Sequence, residues 1–355
     1  MYLERSDEQR MLFENAARFL RDRGHNVQWT ELAGLGWIAA ALDEEDGGLG
    51  GRAADVVPIC EAIGAGGAAL PYFSSALLPA RLLALSARFE GRKELIENFV
   101  AGRARITVAH SERGLIFEPE EPAMSARQTA AGAKLTGVKR RAWDAQYADM
   151  LIVSARDDVR FGWYLVVARA QGVQIEAGHA DEEMPWGTVR LENADGTEIR
   201  AGAAAHHALA QAIVFATVGV LAESVGSMCE LFRLTQEWLS TRKQFGRVLA
   251  ANQVLEHRLV DMFIALEESR SMLNLAVHAH DRMPADDARA AIHAAKAHIA
   301  NSARFVGQQA VHLHGAMGLT EESFVGRAYR RLEALNAAFG GADYHTWAYA
   351  TNAKI

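Results

Sequence analysis

The order of helical and strand signals along the chain is the feature that most restricts its fold. Residues 1–103 place apolar residues at helical spacing, residues 104–200 carry short runs of β-forming residues separated by Gly and Asp, and residues 201–355 return to long helical patterns. This order argues against the strand–helix alternation of a parallel α/β sheet. It predicts an α+β protein with an N-terminal α-helical domain, a middle β-barrel or sandwich domain and a C-terminal four-helix bundle.

Local turn and cap signals predict several boundaries. Asp195-Gly196 is typical of a tight hairpin turn between two strands. Asn252 is a candidate N-cap of the second long C-terminal helix, and Gly315 is expected to end the third. Thr320 is expected to cap the fourth.

Composition limits the classes of function. The 355 residues are 50% hydrophobic and 23% charged with a formal net charge of −7, so nothing indicates the basic surface that nucleic-acid binding favours. No apolar run approaches the roughly 20 residues of a membrane span, and the acidic N-terminus lacks the pattern of a signal peptide. We therefore expect a cytoplasmic protein with no membrane span, in which Cys60 and Cys229 are reduced, buried thiols.

Histidines are frequent in the last third of the chain, but their spacing matches no tight metal-ligand motif. Exposed histidines on helices are the commoner arrangement, so no metal is expected. The histidines concerned are His278, His280, His293, His298, His312 and His314.

Residues 241–247, TRKQFGR, carry the strongest chemical signal. They end one apolar helical pattern and lead into another, which displays their polar groups at a helix–helix corner. Arg supplies a planar set of donors that keeps its charge, and Gly lets the backbone approach a ligand closely. Arg242, Gln244 and Gln253 are therefore candidates for binding a diphosphate, although Arg242 alone is more typical of a surface charge at a helix end.

Four segments, in the same order and at matching distances, make the chain resemble the flavin-dependent acyl-CoA dehydrogenase family. LGW followed by EEDGGLG is similar to the family's early GW…PEE.GG.G turn, and GVK followed by AD is similar to its middle-domain G.K…AD pattern. RKQFG with a later Gln is similar to the signature R.QFG…Q, and HGAMGLTE is similar to HGG.G.T.E. The segments begin at Leu35, Gly137, Arg242 and His314, so the resemblance covers nearly the whole chain.

The resemblance implies that FAD is shared between two subunits. Its ring would lie beside the middle domain of one chain, and its diphosphate and adenine would lie against the R.QFG corner and HGG.G loop of the other. This chain has Ala316 as the second residue of the glycine pair and His312 in place of a Gln, both small changes. The implied cofactor-binding residues are Arg242, Gln244, Phe245, Gln253, His312, Gly315 and Gly318.

The residue that should begin the reaction is missing. The family desaturates acyl-CoA thioesters: a carboxylate removes the α-proton while the β-hydrogen leaves as hydride to the flavin. The two positions where the family carries this glutamate correspond to Phe339 and, with Gly226 as the reference glycine, to Ala216. Glu223 is the nearby fallback, and we expect it to lie on a helix surface. The catalytic base of this chain is therefore unknown.

The residues expected beside the flavin ring have changed as well. Where the family has TEP..GSD, this chain reads SERGL from Ser111. Where the family has W.T, it reads Arg141-Ala142-Trp143. An Arg and a bulky Trp would alter or fill this part of the site.

The residues expected at the flavin ring and the catalytic base have changed, whereas those expected at the nucleotide are present. This asymmetry defines the leading hypothesis. The chain resembles the small, non-base subunit of heteromeric α2β2 acyl-CoA dehydrogenases, a group associated with sterol and other bulky-acyl catabolism. It would contribute the nucleotide half-site for FAD in a heterotetramer, while a paralogous subunit supplies the base and the acyl-CoA pocket, and an electron-transferring flavoprotein accepts the electrons. The alternatives are a homomeric dehydrogenase with an unrecognised base, a flavin monooxygenase-like relative, and a non-catalytic scaffold of the same fold.

Overall fold

The computed structural model describes residues 5–24, 26–113, 122–129, 132–178, 184–244, 246–320 and 322–352. The helices in this part of the chain are α1 (Asp7–Arg23), α2 (Trp29–Gly34), α3 (Ala53–Gly66), α4 (Leu78–Ala84), α5 (Arg92–Val100), α6 (Ala203–Thr241), α7 (Gln253–Arg282), α8 (Ala285–His314), α9 (Phe324–Ala337) and α10 (Ala342–Asn352). The strands are β1 (Ile106–Ala109), β2 (Ser125–Thr129), β3 (Gly132–Trp143), β4 (Met150–Arg156), β5 (Phe161–Val167), β6 (Val173–Ala177), β7 (Trp186–Ala201), β8 (Lys243–Gln244) and β9 (Arg247–Val248). Helical N- and C-terminal parts thus flank a middle sheet region, which confirms the predicted fold class.

The chain divides into two compact units. The first comprises residues 1–26, 57–70 and 217–355, and the second comprises residues 27–56 and 71–216. The boundary between them falls inside α6. The three-domain division drawn from the sequence follows the change in secondary structure, and it stays an interpretation.

The second unit is built around a seven-stranded sheet that closes on itself. β4 pairs with β2 and β5, β3 pairs with β2 and β7, and β5 pairs with β7, so these five strands form a ring. β1 extends the sheet from β4, and β6 extends it from β7. Aliphatic side chains such as Leu135, Leu151 and Val189 fill the interior. Burial of this apolar cluster holds the strands around a common core.

The predicted hairpin turn at Asp195-Gly196 is wrong. Both residues lie inside β7, which runs without interruption and pairs with β3, β5 and β6. Gly196 pairs with Ala133, and a Cβ added to it would lie 2.9 Å from Cδ1 of Leu135. Close packing inside the sheet, rather than a turn, accounts for this glycine.

The first unit is helical, with α8 packed against α7, α9 and α10. α3 and α6 approach closely at two glycines. A Cβ added to Gly64 would lie 2.0 Å from the carbonyl oxygen of Glu223, and one added to Gly226 would lie 2.0 Å from the carbonyl oxygen of Glu61. Gly226, the reference point for the position of Ala216, is therefore accounted for by helix packing.

The predicted helix caps have a mixed outcome. Gly315 ends α8 with a φ of +64°, as expected, whereas Asn252 stands at the N-cap position of α7 but its side chain makes no capping hydrogen bond among the described residues. Thr320 does not cap α9, because its hydroxyl donates to the carbonyl of Met317 at 3.2 Å. α9 begins later, after Ser323, whose side chain accepts from the backbone N–H of Val325.

Two further sequence expectations concern cysteines and the membrane. Cys60 and Cys229 are both free, and burial raises the pKa of each thiol. Among the described helices, α6 is long and apolar enough to match a membrane span by composition, but 78% of its most apolar window is buried inside the protein. We interpret α6 as a core helix.

Candidate functional site

The predicted nucleotide-binding corner begins where α6 ends. Arg242 follows the last residue of the helix, and its backbone N–H donates to the carbonyl of Trp238 at 2.9 Å. Its guanidinium lies over the Trp238 indole, 5.6 Å from the ring centroid, as in a cation–π contact. The side chain is exposed and has no carboxylate partner among the described residues. Arg242 therefore presents its charge and donors to solvent from a defined position.

A short hairpin closes the corner. β8 and β9 pair antiparallel, and the backbone N–H of Leu249 donates back to the carbonyl of Arg242 at 2.9 Å. Gly246 has a φ of +79° and lies in the turn between Gln244 of β8 and Arg247 of β9. Phe245, one of the predicted cofactor-binding residues, lies outside the described residues.

The glycine loop, which begins at His314, contacts the same corner through Trp238. His314, the last residue of α8, stacks with the Trp238 indole at a centroid distance of 5.3 Å and an interplanar angle of 21°. The 3₁₀ turn Gly315–Leu319 follows directly. The structure therefore brings Arg242 and the start of the glycine loop together, and the residue that joins them, Trp238, was missed by sequence reasoning. An aromatic residue one helical turn before Arg242 was the available signal.

Within the loop, Gly318 is closely packed, so a larger residue would need its neighbours to shift. A Cβ there would lie 3.0 Å from the carbonyl oxygen of Val311 and 3.0 Å from Cβ of His314. Gly318 is buried, so this requirement comes from packing of the loop on α8. Gly315 has open space around it and is required by its positive φ instead.

The remaining predicted cofactor-binding side chains are exposed. Gln244 lies in β8, Gln253 is the first residue of α7, and His312 lies in the last turn of α8. In the described part of the chain, none of the three has a side-chain hydrogen bond to another protein group. An unpaired guanidinium, two uncommitted amides and a loop with two glycines form a donor set that fits the diphosphate end of a nucleotide. We call residues 238–244, 246–248, 253 and 312–318 the nucleotide end.

Side chains of the second unit pack against one another at the position predicted to face the flavin ring. Trp143 is largely buried and packs edge-to-face on Phe73, at a centroid distance of 5.2 Å. Phe73 opens a π-helical turn, Phe73–Leu77, and the carbonyl of Trp143 accepts from the Thr107 hydroxyl at 2.6 Å. Arg141 has a φ of +52° and lies over the Trp186 ring at 5.3 Å. We call residues 111–113 and 141–143 the ring end.

Glu112 and Lys139 form a buried polar network next to the ring end. The fully buried ammonium of Lys139 donates to Glu112 at 2.6 Å and to the Ser154 hydroxyl at 2.8 Å. Burial lowers the pKa of Lys139 to about 8, although Glu112 opposes this shift. Burial acts to raise the pKa of Glu112, but the ammonium and two backbone N–H donors outweigh it and lower that pKa. These polar groups satisfy one another, so they hold the strands together.

The predicted base positions carry no ionisable group. Ala216 and Phe339 are both buried. Phe339 has a φ of +58°, which is unfavourable for a bulky L-residue. Its carbonyl accepts from Nε2–H of His345 at 3.1 Å.

The expectation that Glu223 lies on a helix surface is wrong. Glu223 is 2% exposed, and Nε of Arg331 donates to its carboxylate at 2.7 Å. Burial raises the pKa of Glu223, while the charge and hydrogen bond of Arg331 act to lower it. Arg331 also donates to the carbonyl of Leu70 at 3.0 Å. The carboxylate is therefore tied into the helical core rather than available to a substrate.

Of the six C-terminal histidines expected to be exposed, His278 and His312 are exposed, whereas His280, His293, His298 and His314 are partly buried. The Nδ1 atoms of His293 and His345 are 2.8 Å apart. Because Nε2 of His345 donates to the carbonyl of Phe339, its Nδ1 accepts the Nδ1–H of His293. Burial lowers the pKa of His293 to about 4 and that of His345 to about 3. Among the described residues, no group of three or more His, Cys, Asp or Glu side chains is arranged to hold a metal ion.

Comparison with known proteins identifies the class. The model of the acyl-CoA dehydrogenase C-terminal domain matches residues 207–351. The chain is 29% identical over 338 residues to acyl-CoA dehydrogenase FadE27 of Mycobacterium tuberculosis, covering 91% of this chain and 87% of that protein.

Solved structures agree with this class. The Tcur3481-Tcur3483 steroid ACAD G363A variant has a TM-score of 0.86 at 25% identity, covering 98% of both chains. The ChsE4-ChsE5 complex from Mycobacterium tuberculosis has a TM-score of 0.86 at 24% identity, covering 100% of this chain and 99% of that chain.

The fold and these relatives define a flavin-dependent oxidoreductase. Residues 207–351 match the acyl-CoA dehydrogenase C-terminal domain, and along most of its length the chain is similar to acyl-CoA dehydrogenases. FAD is bound in solved structures of PigA, which share this fold at 22% and 21% identity. When bound, FAD supplies the two-electron acceptor for desaturation of an acyl thioester.

Proposed function

We propose that this chain is the non-base subunit of a heteromeric acyl-CoA dehydrogenase. In this proposal its nucleotide end binds the diphosphate and adenine of FAD, and a paralogous subunit supplies the carboxylate base and the thioester pocket. The observation that carries the proposal is the asymmetry of the chain. Arg242 is exposed and lacks a carboxylate partner within the described residues, whereas Trp143, Phe73 and Phe339 fill the ring end and a base position.

The nucleotide end has specific tasks in this proposal. The fixed charge of Arg242 would bind the diphosphate, and its planar donors suit that group better than a flexible ammonium would. Gln244 and Gln253 would donate to and accept from the remaining polar atoms of the nucleotide. The glycine loop would let backbone approach the ligand at Gly315, where an added Cβ would meet no neighbour.

An exposed apolar surface on α7 supports a partner subunit. Large apolar side chains lie open on this helix, and surfaces of this kind on bundle helices mark protein contacts. The heteromeric ChsE4-ChsE5 complex has the same fold. The exposed residues are Val254, Val260, Phe263, Ile264 and Leu275.

The substrate class follows from the same relatives. A steroid acyl-CoA dehydrogenase with 25% identity covers 98% of this chain. We propose a bulky, ring-containing acyl-CoA as substrate, with an electron-transferring flavoprotein as electron acceptor and the cytoplasm as the compartment. The acyl pocket would lie mostly in the partner subunit, because Trp143 and Phe73 pack together where this chain would otherwise face the ring.

The test is a visible absorption spectrum of the chain purified alone and after co-expression with a paralogous dehydrogenase subunit. We expect a colourless chain alone and a yellow complex with about one FAD per heterodimer, which an acyl-CoA bleaches under anaerobic conditions. A yellow chain that is bleached without any partner would overturn the proposal and identify a complete enzyme. A colourless complex would show that FAD has been lost from this assembly.

A further inference from the structure

Trp238 lies at the centre of the nucleotide end although it belongs to none of the matched motifs. It is in the last turn of α6, four residues before Arg242, and is partly buried. Its indole contacts both the Arg242 guanidinium, at 5.6 Å, and the His314 imidazole, at 5.3 Å. One side chain therefore connects the end of α6 with the end of α8.

The protonation state of His314 suits this arrangement. Its Nδ1–H donates to the carbonyl of Ala310 at 2.8 Å, so Nε2 carries a lone pair. Burial lowers the pKa of His314, although the hydrogen bond to Ala310 opposes this shift. The lowered pKa favours the neutral imidazole, which does not repel the guanidinium that shares the indole. The indole can then stack on a neutral imidazole and bind one cation, and both contacts are favourable.

We propose that Trp238 is a positioning residue for nucleotide binding: it holds Arg242 and the Gly315–Leu319 turn in a fixed relation so that both can contact one diphosphate. This inference rests on the proposed function of the nucleotide end. An exposed arginine samples many rotamers, and the indole restricts them before the ligand arrives. Binding then loses less conformational entropy, as in other preorganised sites.

The experiment measures ADP binding to the purified chain by titration calorimetry, because ADP carries the adenine and diphosphate without the flavin ring. The variants are Trp238→Leu, Trp238→Phe, Arg242→Ala and the double variant Trp238→Leu/Arg242→Ala. Trp347→Phe is the matched control, because Trp347 is an exposed tryptophan of α10. Circular dichroism establishes that each variant folds.

We expect Trp238→Leu to weaken ADP binding about fivefold, the size of an exposed cation–π contact, and Trp238→Phe to restore most of it. In the Arg242→Ala background, Trp238→Leu should add little, because the guanidinium it positions is gone. Trp347→Phe should bind as the parent does. Equal losses from Trp238→Leu in both backgrounds would overturn the proposal, since Trp238 would then act independently of Arg242.

Hydrogen exchange without ligand separates this inference from the proposed function. Trp238→Leu should increase amide exchange about tenfold both in residues 242–249 and in the Gly315–Leu319 turn. If the parent chain binds no ADP but both segments respond together, the positioning role stands and the nucleotide-binding function fails. If just one segment responds, Trp238 does not join the two and the inference is wrong.

Discussion

The nucleotide end and the ring end of this chain use their side chains in opposite ways. At the nucleotide end, Arg242 is exposed and without a carboxylate partner in the described part of the chain. At the ring end, Trp143 packs on Phe73, and Arg141 lies over Trp186. Open polar groups are available to a ligand, whereas side chains that satisfy one another are not. In the proposed heteromer, such a subunit would keep the fold and one half of a shared site while the other half is closed.

The largest expected effect concerns Glu223, the carboxylate considered as a fallback base. Arg331→Met leaves Glu223 buried without its partner and should lower the free energy of unfolding by about 3–5 kcal/mol. Chemical denaturation measures this loss. The control is Arg304→Met, which removes an exposed pair with Glu333 and should cost less than about 1 kcal/mol.

The double variant Glu223→Leu/Arg331→Met should recover much of that stability, because it removes both buried charges. A loss below about 1 kcal/mol in Arg331→Met would mean that the pair does not hold the carboxylate. Glu223 would then be free to act as a base, and the contrast between an open and a closed end would fail.

The second prediction tests the open end. Arg242→Ala should weaken FAD retention in the assembled complex by about 1.5–3 kcal/mol, the range for a charge-assisted hydrogen bond. FAD per heterodimer after exhaustive dialysis measures retention. Arg233→Ala is the matched control, because Arg233 lies on α6, about two to three turns before Arg242, and is paired with Glu230 and Glu237. If FAD occupancy is unchanged in Arg242→Ala, the nucleotide end is not part of the cofactor site.

Much of the fold was predictable because apolar periodicity and strand-forming runs act locally. The order of helices, strands and helices, the start of α7 after Asn252 and the end of α8 at Gly315 all follow from nearby residues. The turn predicted at Asp195-Gly196 was wrong because the glycine packs closely against Leu135, a residue distant in sequence, inside the sheet. No local rule distinguishes that requirement from a turn.

The candidate site was predictable where a motif displays polar groups and unpredictable where distant residues meet. Arg242 and Gly315 were found from motifs, but the Trp238–His314 stack joins residues far apart in sequence. Glu223 was misplaced for the same reason: its partner Arg331 lies 108 residues away. A charged residue on a helix can be buried when such a partner exists, and one helix does not reveal it.

The third prediction concerns the histidine pair beside Phe339, one of the two predicted base positions. His293 and His345 have pKa values lowered to about 4 and about 3, so the unfolded chain takes up their protons first. Stability is complete above about pH 6.5 and falls as the pH is lowered towards 4. We expect a loss on the order of 1–2 kcal/mol between pH 6.5 and 5 after allowance for partial exposure of the pair.

Urea denaturation across this pH range measures the slope. His345→Gln should flatten it, while His278→Gln, at an exposed position on α7, should leave it unchanged. A pH dependence identical in all three proteins would show that the pair does not secure the Phe339 carbonyl in the folded state.

The smallest expected effect is on turnover, and it addresses the closed end directly. Phe339→Glu restores a carboxylate at a position where the family carries one, yet we expect no turnover by this chain without a partner. The new side chain would be buried beside His345 at a φ of +58°, and Trp143 would still fill the ring end. Anaerobic bleaching of added FAD by an acyl-CoA is the measurement, with Phe339→Gln as the uncharged control of equal size. Turnover in the glutamate variant alone would show that Trp143 and Arg141 leave room for the flavin, and that the missing base was the sole defect.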